Sequence, residues 1–255
     1  MIPKQCRRLK IRSKLSSQGP MNSKSATLST CRPLICLVTD RQRLSPGIAL
    51  DGQINNLVTF AASAAEAGIG VVQVRERDLS GRILMSLVSR CVEATAGSGT
   101  HVVVNDRADV ALASGAAGVH LREDSVEEER VRTVGPPAWL VSRAVHDPSK
   151  VLSMSSTLDY LVFGSVFSSP SKTMPCAPAG LGALGRVISQ TGIPVLAIGG
   201  VCEGRLKEVW RTGAAGFAGI GLFIESARLS SNWTAGLTEL VQRARQSFDS
   251  VGPHV

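Results

Sequence analysis

From residue 34 to the end of the chain, short apolar runs alternate with longer segments of helical periodicity. The short runs are rich in Val, Ile and Leu at consecutive positions, which is typical of strands buried on both faces of a parallel sheet. This pattern predicts eight strands, over residues 34–40, 70–76, 101–106, 118–121, 139–145, 160–166, 194–200 and 216–223.

The segments between these strands place apolar residues at helical spacing, and several end on a glycine that suits a helix C-terminus. Clear examples occupy residues 54–68, 83–97, 181–192, 203–213 and 233–248. Eight strand–helix units favour a closed (β/α)8 TIM barrel of the α/β class over an open doubly wound sheet. An open dinucleotide-binding sheet would also carry G-x-G-x-x-G after its first strand, where this chain reads LVTDRQRL. We therefore predict one (β/α)8 barrel domain over residues 34–255.

The positive charge of the chain is concentrated before the first strand. The net charge is +8, from 28 basic and 20 acidic residues, and residues 1–39 hold eight of the basic residues and no acid. The remaining residues therefore carry 20 basic and 20 acidic groups and are neutral. We expect residues 1–33 to be a basic, disordered extension. An organelle transit peptide and a weak nucleic-acid-binding arm are the alternatives.

Composition excludes several other classes of protein. The six cysteines form no C-x-x-C pair, which favours buried thiols in a reducing compartment over disulfides or a zinc site. Aromatic residues make up 4% of the chain, too few for a platform that stacks single-stranded nucleic acid. No segment has the length and apolar character of a membrane span. We expect a cytoplasmic protein that binds neither nucleic acid nor membrane, and the neutral barrel is compatible with a homodimer.

Polar residues cluster where the predicted strands end. In a barrel of this kind the strand C-termini form the catalytic face, where a charged group has little use except to meet a ligand. The set contains several cations and few acids, which suits a phosphorylated substrate. It comprises Asp40, Gln73, Arg75, Arg77, Asn105, Asp106, His120, Arg143, His146 and Lys172.

Two glycine-rich strand ends predict where the phosphate binds. Gly199 and Gly200 follow the seventh strand, and Gly219 and Gly221 lie at the end of the eighth. The loops after these two strands form the usual phosphate site of such barrels, because backbone N–H groups can approach an anion closely there. A tight turn is the simpler explanation for either pair alone.

Six segments together resemble the thiamine phosphate synthase superfamily. In chain order they are LVTD, VQVRERD, VVNDRADVALASGAAGVHL, DYLVFGSVF with SPSK, PVLAIGGV and GAAGFAGIG, from about residue 34 to residue 225. The superfamily contains two kinds of enzyme. Synthases join a hydroxymethylpyrimidine diphosphate to a thiazole phosphate with Mg²⁺ on the diphosphate. Thiazole tautomerases of the TenI type aromatise carboxythiazole phosphate by moving a proton, and need no metal.

The resemblance implies roles for several of these residues if the chain is a synthase. Gln73, Arg75 and Arg77 fall on the family's Q-x-R-x-K motif, which holds the pyrimidine and its diphosphate, with arginine in place of lysine. Asn105 and Asp106 match its Asn-Asp pair, and Asp106 would be a Mg²⁺ ligand. Lys172 matches a lysine that reaches diphosphate oxygens.

Two synthase features are missing. The fourth strand of a synthase is followed by HLGQ-(D/E)-D, whose last acid is the second metal ligand, whereas this chain reads HLREDS and has Ser125 at that position. The fifth strand ends in V-S-x-H, whose serine binds the diphosphate, and Ala144 stands there.

The segment RAVH instead resembles the tautomerase R-S-V-H, whose histidine corresponds to His146. Histidine can accept and return a proton at neutral pH, so His146 is the predicted catalytic acid/base. A tautomerase acting on a thiazole phosphate without a cofactor is thus the first expectation. A Mg²⁺-dependent synthase is the alternative, and a non-catalytic binding or regulatory relative is the third.

Overall fold

The computed structural model describes residues 32–154, 156–168 and 177–251. Residues 1–31 of the predicted basic extension, and the predicted ligand Lys172, lie outside the described residues. The eight strands close into one parallel barrel in chain order, with β1 paired to both β2 and β8. They are β1 (Leu34–Val38), β2 (Val71–Val74), β3 (His101–Asn105), β4 (Gly118–Leu121), β5 (Leu140–Val145), β6 (Tyr160–Gly164), β7 (Val195–Ile198) and β8 (Gly216–Gly219).

Helices surround the barrel and follow most of its strands. In the described residues they are α1 (Arg41–Leu44), α2 (Leu50–Glu66), α3 (Gly81–Ala94), α4 (Ala108–Ser114), α5 (Glu128–Val134), α6 (Gly180–Ser189), α7 (Leu206–Arg211), α8 (Gly221–Arg228) and α9 (Trp233–Asp249). The predicted (β/α)8 architecture is therefore confirmed. One unit departs from it, because in the described part of the connection between β5 and β6 the 3₁₀ helix Pro148–Ser153 stands in place of an α-helix.

Alternation along each strand divides the core into two parts. One set of side chains fills the barrel interior and includes Leu34, Cys36, Val71, Val103 and Tyr160. The other set points outward and packs against the helices. Successive side chains of a strand point to opposite faces, so an interior residue at the start of a strand predicts which later residue reaches the mouth.

The prediction of the last strand is wrong for the second half of its length. The apolar run over residues 216–223 was expected to be one strand, yet β8 stops at Gly219 and α8 begins at Gly221. Phe223 and Ile224 are buried as part of this helix. The sequence therefore stays apolar although the chain changes from strand to helix. A short apolar run does not distinguish a strand from the start of a buried helix.

Candidate active site

Two amides lie side by side in the mouth of the barrel. Gln73 of β2 follows the interior residue Val71 by two positions, and Asn105 of β3 follows Val103 in the same way. The Gln73 Nε2 atom donates a hydrogen bond to Asn105 Oδ1 at 3.1 Å, and Gln73 is buried. This contact fixes the Gln73 amide in the interior, where its carbonyl can face a ligand. The two residues predicted from separate motifs thus belong to one site.

His120 forms the polar floor beside these amides. Its Nδ1 lies 2.9 Å from the hydroxyl of Ser142 on β5, and the ring is buried. Burial lowers the pKa of His120 to about 4. The imidazole is therefore neutral at pH 7, so it supplies hydrogen bonds and not a cation.

Arg75 and Arg77 reach the mouth at the end of β2. The backbone N–H of Arg75 donates to Thr39 Oγ1 at 3.0 Å, which ties this strand end to the end of β1. Burial lowers the pKa of Arg75 from its usual value, and the nearby charge of Arg77 lowers it further. The carboxylates of Asp40 and Glu76 oppose this lowering of the Arg75 pKa, and a bound anion would stabilise the guanidinium further.

A buried ion network that the sequence analysis missed supports Arg75 from behind. Arg41 donates to Glu76 Oε2 at 2.8 Å and also pairs with Asp78, while Thr39 Oγ1 donates to Glu76 Oε1 at 2.7 Å. Burial raises the pKa of Glu76, and the hydrogen bonds from Thr39 and Arg41 oppose that rise. No local motif marks these residues, since their contacts span 35 to 37 positions of the chain.

Asp106 is held by two neighbours from the loop after β4. Ser125 Oγ donates to its Oδ1, and Arg122 Nε lies 2.9 Å from its Oδ2. Its backbone has a positive φ of 59°, and its N–H donates to the His120 carbonyl at 2.9 Å. Both carboxylate oxygens are therefore engaged by protein groups.

These surroundings do not fit a divalent metal. Mg²⁺ would need carboxylate oxygens free to coordinate it at about 2.1 Å. Asp106 instead binds a guanidinium and a hydroxyl, and Ser125 stands where a second acid was expected. The Arg122 Nε atom also lies 3.3 Å from Asp124 Oδ1.

His146 is exposed directly after β5, at the rim of the mouth. Its backbone N–H donates to Glu123 Oε1 at 2.9 Å, and Lys150 Nζ lies 3.1 Å from Glu123 Oε2. Partial burial of Glu123 opposes these contacts, yet they lower its pKa. Within the described residues its imidazole has no hydrogen-bonding partner, so the ring is free to meet a substrate. Ala144, two positions earlier, lies on the same inward face of the strand.

Arg143 does not belong to the pocket, contrary to the expectation from its place at a strand end. It points outward from β5, where its Nη2 lies 2.8 Å from Glu128 Oε2 of α5. It also donates to carbonyl groups of the loop after β4, including Arg122 O at 3.0 Å. The strand alternation explains this, because position 143 is on the face opposite to Ser142 and Ala144. The residue is structural.

The predicted phosphate-binding glycines lie on two neighbouring loops. Gly199 and Gly200 adopt positive φ angles of 90° and 63°. A Cβ at Gly200 would lie 2.4 Å from the Ser168 carbonyl oxygen, so only glycine fits there. The Phe167 N–H donates to the Gly199 carbonyl at 2.9 Å, which joins the ends of β6 and β7.

Gly219 ends β8, and Gly221 opens α8. The structure adds Arg43, whose Nη2 would lie 2.8 Å from a Cβ at Gly221. A guanidinium beside the free N–H groups of a helix start suits a phosphate group. The basic run RQRL after β1 is the sequence signal that could have indicated Arg43.

Comparison with known proteins shows the family of this chain. The family model described as "Thiamine monophosphate synthase" matches residues 35–223. The chain belongs to the thiamine monophosphate synthase family. It is 36% identical to the thiamine-phosphate synthase of Albidiferax ferrireducens, over 64% of this chain and 74% of that protein. It is 33% identical to that of Chlorobium phaeovibrioides, over 73% of this chain and 84% of the relative.

Solved structures of the family have the same barrel. Thiamine phosphate pyrophosphorylase from Pyrococcus furiosus superposes with a TM-score of 0.68 at 26% identity, covering 85% of this chain and 98% of that one. These relatives support the synthase alternative of the sequence analysis better than its first expectation, and they give no specific support to a tautomerase.

Proposed function

We propose that this member of the thiamine monophosphate synthase family joins a hydroxymethylpyrimidine diphosphate to a thiazole phosphate. The observation that carries the proposal is the hydrogen bond between Gln73 and Asn105 beside Arg75. The synthase resemblance assigns Gln73 and Arg75 to the pyrimidine diphosphate and matches Asn105 to the Asn-Asp pair. Relatives named thiamine-phosphate synthase support it.

In the proposed reaction, the ring nitrogen of the thiazole attacks the methylene carbon of the pyrimidine. A C–N bond forms, the C–O bond to the diphosphate breaks, and pyrophosphate leaves with the bonding electrons. The protein has to orient the two rings and stabilise the charge on the leaving group.

The residues divide this work between two sides of the mouth. Gln73 and Asn105 would orient the pyrimidine, while Arg75 and Arg77 would stabilise the diphosphate charge. The loops after β7 and β8, with Arg43, would hold the thiazole phosphate. Lys172 stays a predicted diphosphate contact.

The experiment is a discontinuous assay of thiamine phosphate formation from both purified substrates. We expect Arg75→Gln to lower kcat/KM by at least about 100-fold, because a half-buried guanidinium contact to the diphosphate is lost. Arg82→Gln is the matched control, since Arg82 is exposed on α3. Absence of product with the wild-type protein would refute the proposal.

Tautomerase activity is the second candidate, because His146 is exposed at the rim and Ala144 lacks the hydroxyl expected of a synthase. If the protein is a tautomerase, it aromatises carboxythiazole phosphate, and we expect the rate of this reaction to fall by orders of magnitude in His146→Ala. Turnover of that substrate by His146→Ala at the wild-type rate would exclude His146 as its acid/base.

A cytoplasmic location, homodimer formation and the absence of nucleic-acid or membrane partners stay predictions. Within the described residues, none of the helices combines the length and apolar character that crossing a bilayer requires.

A further inference from the structure

The contacts of Asp106 show what has replaced the expected metal environment. Arg122 Nε lies 2.9 Å from Asp106 Oδ2, and the Ser125 hydroxyl donates to Asp106 Oδ1. Both partners come from the loop after β4, and each of them engages a different oxygen of the carboxylate. A cationic side chain of the protein is therefore already bound at the carboxylate to which a metal ion would bind.

The charges of Asp106, Arg122 and Ser125 balance without a metal. Asp124, whose Oδ1 lies 3.3 Å from Arg122 Nε, is left out of this sum because the synthase motif also has an acid at that position. Two carboxylates and Mg²⁺ would sum to zero, and so do the Asp106 carboxylate, the Arg122 guanidinium and the neutral Ser125 hydroxyl. Relative to HLGQ-(D/E)-D, this chain gains a positive charge at position 122 and a negative charge at position 123, and it loses a negative charge at position 125. The Glu123 carboxylate is engaged by the His146 N–H and by Lys150, so it lies outside the ion pair with Asp106. The changes at positions 122 and 125 each make the surroundings of Asp106 more positive by one charge, and together they equal the two positive charges that Mg²⁺ would supply.

The Arg122 side chain is also placed to meet an anion. It follows His120 by two positions, so it leaves β4 on the inward face. Its side chain is 49% exposed, while that of Asp106 is 23% exposed. Within the described ranges, the two terminal nitrogens of Arg122 have no hydrogen-bonding partner. A planar guanidinium with free N–H groups matches two phosphoryl oxygens.

We propose that Arg122 replaces the divalent cation of the site, so that the protein binds a diphosphate group without Mg²⁺. Asp106 then orients the guanidinium through Nε and leaves the terminal nitrogens for the ligand. Ser125 completes the hydrogen bonding of Asp106 in place of a second acid. The inference rests on the proposed diphosphate substrate, and it concerns how that substrate's charge is neutralised.

The first test measures inorganic pyrophosphate binding by isothermal titration calorimetry in EDTA. We expect the wild-type protein to bind, and Arg122→Gln to bind at least about 10-fold more weakly, because a charge-assisted contact is lost. Arg130→Gln is the matched control, since Arg130 is exposed on α5. Equal affinity of wild type and Arg122→Gln, or no wild-type binding in EDTA, would overturn the proposal.

The second test exchanges the two residues together. Arg122→Gly with Ser125→Asp removes the guanidinium and supplies the second acid, so we expect Mn²⁺ binding detectable by electron paramagnetic resonance. The wild-type protein should bind at least about 10-fold less Mn²⁺ under the same conditions. Wild-type Mn²⁺ binding that is lost in Asp106→Asn contradicts the proposal, as does a folded double variant with no gain. If the double variant does not fold, pyrophosphate binding by Arg122→Gln in the first test decides whether the proposal holds.

Turnover separates this inference from the proposed function. Pyrophosphate binding in EDTA without thiamine phosphate formation would refute the synthase reaction and leave the role of Arg122 standing. Thiamine phosphate formation that stops in EDTA would refute the role of Arg122 and leave the synthase reaction standing.

Discussion

Neighbouring residues of β5 face opposite ways, and this decides what each of them does. Ser142 and Ala144 point into the barrel, where Ser142 contacts His120, whereas Arg143 points outward and pairs with Glu128. A cation at a strand end can therefore contact a ligand only when it stands at one of the alternate positions that face the barrel interior. Arg75 and Arg122 stand at such inward positions, and Arg143 does not.

Replacing Arg143 should cost stability. In Arg143→Met the Glu128 carboxylate loses its guanidinium in a buried environment, and the carbonyl groups of the loop after β4 lose their donor. We expect the free energy of unfolding to fall by about 3 kcal/mol. Urea denaturation measures this, with Arg130→Met on α5 as the exposed control. A loss below about 1 kcal/mol would contradict the structural role of Arg143.

Ala144 offers the opposite kind of change, a gain of a contact. A hydroxyl at this inward position is expected to donate to a bound diphosphate, so Ala144→Ser should tighten pyrophosphate binding about 5-fold. Calorimetry compares it with Ala113→Ser, an exposed change on α4. Unchanged or weaker binding would mean that position 144 does not face the diphosphate.

At the scale of elements, the strands could be predicted and their supporting contacts could not. The short apolar runs locate all eight strands, although the last run continues past β8 into α8, because a strand buried on both faces is mostly apolar. The Gln73 and Asn105 positions follow from the same runs. Arg41, Arg43 and Arg122 were missed, because their partners come from other loops and only the folded barrel brings them together.

The loops after β1 and β2 act as one unit through Glu76. In Glu76→Gln the carboxylate that binds Thr39 and Arg41 becomes a weaker amide acceptor, and Arg41 loses a buried counter-charge. We expect a loss of about 3 kcal/mol in unfolding free energy and faster amide exchange in α1. Asp78→Asn is the control, because that carboxylate is half exposed and should cost less. An equal or smaller effect of Glu76→Gln would refute the coupling of the two loops.

At the scale of the whole molecule, barrel closure creates an interior that keeps His120 neutral. His120 lies on β4, between the strands β3 and β5 that pair with it. The local sequence GVHL indicates only a buried strand, so neither the contact with Ser142 nor the lowered pKa could be deduced from it.

Acid should therefore destabilise the whole barrel through this residue. The folded pKa of His120 is about 4 against an ordinary value of 6.5, so the unfolded chain takes up the proton first as pH falls. The stability that neutral His120 contributes is complete above pH 6.5 and is lost as pH falls toward 4. Between pH 8 and pH 5 this amounts to about 2 kcal/mol.

His120→Asn tests this pH dependence, because asparagine can keep a hydrogen bond to Ser142 and does not titrate. Urea denaturation at pH 8 and pH 5 should show a fall in unfolding free energy about 2 kcal/mol smaller in the variant than in the wild type. If both proteins lost the same amount, His120 would not be the group that links protonation to unfolding of the barrel.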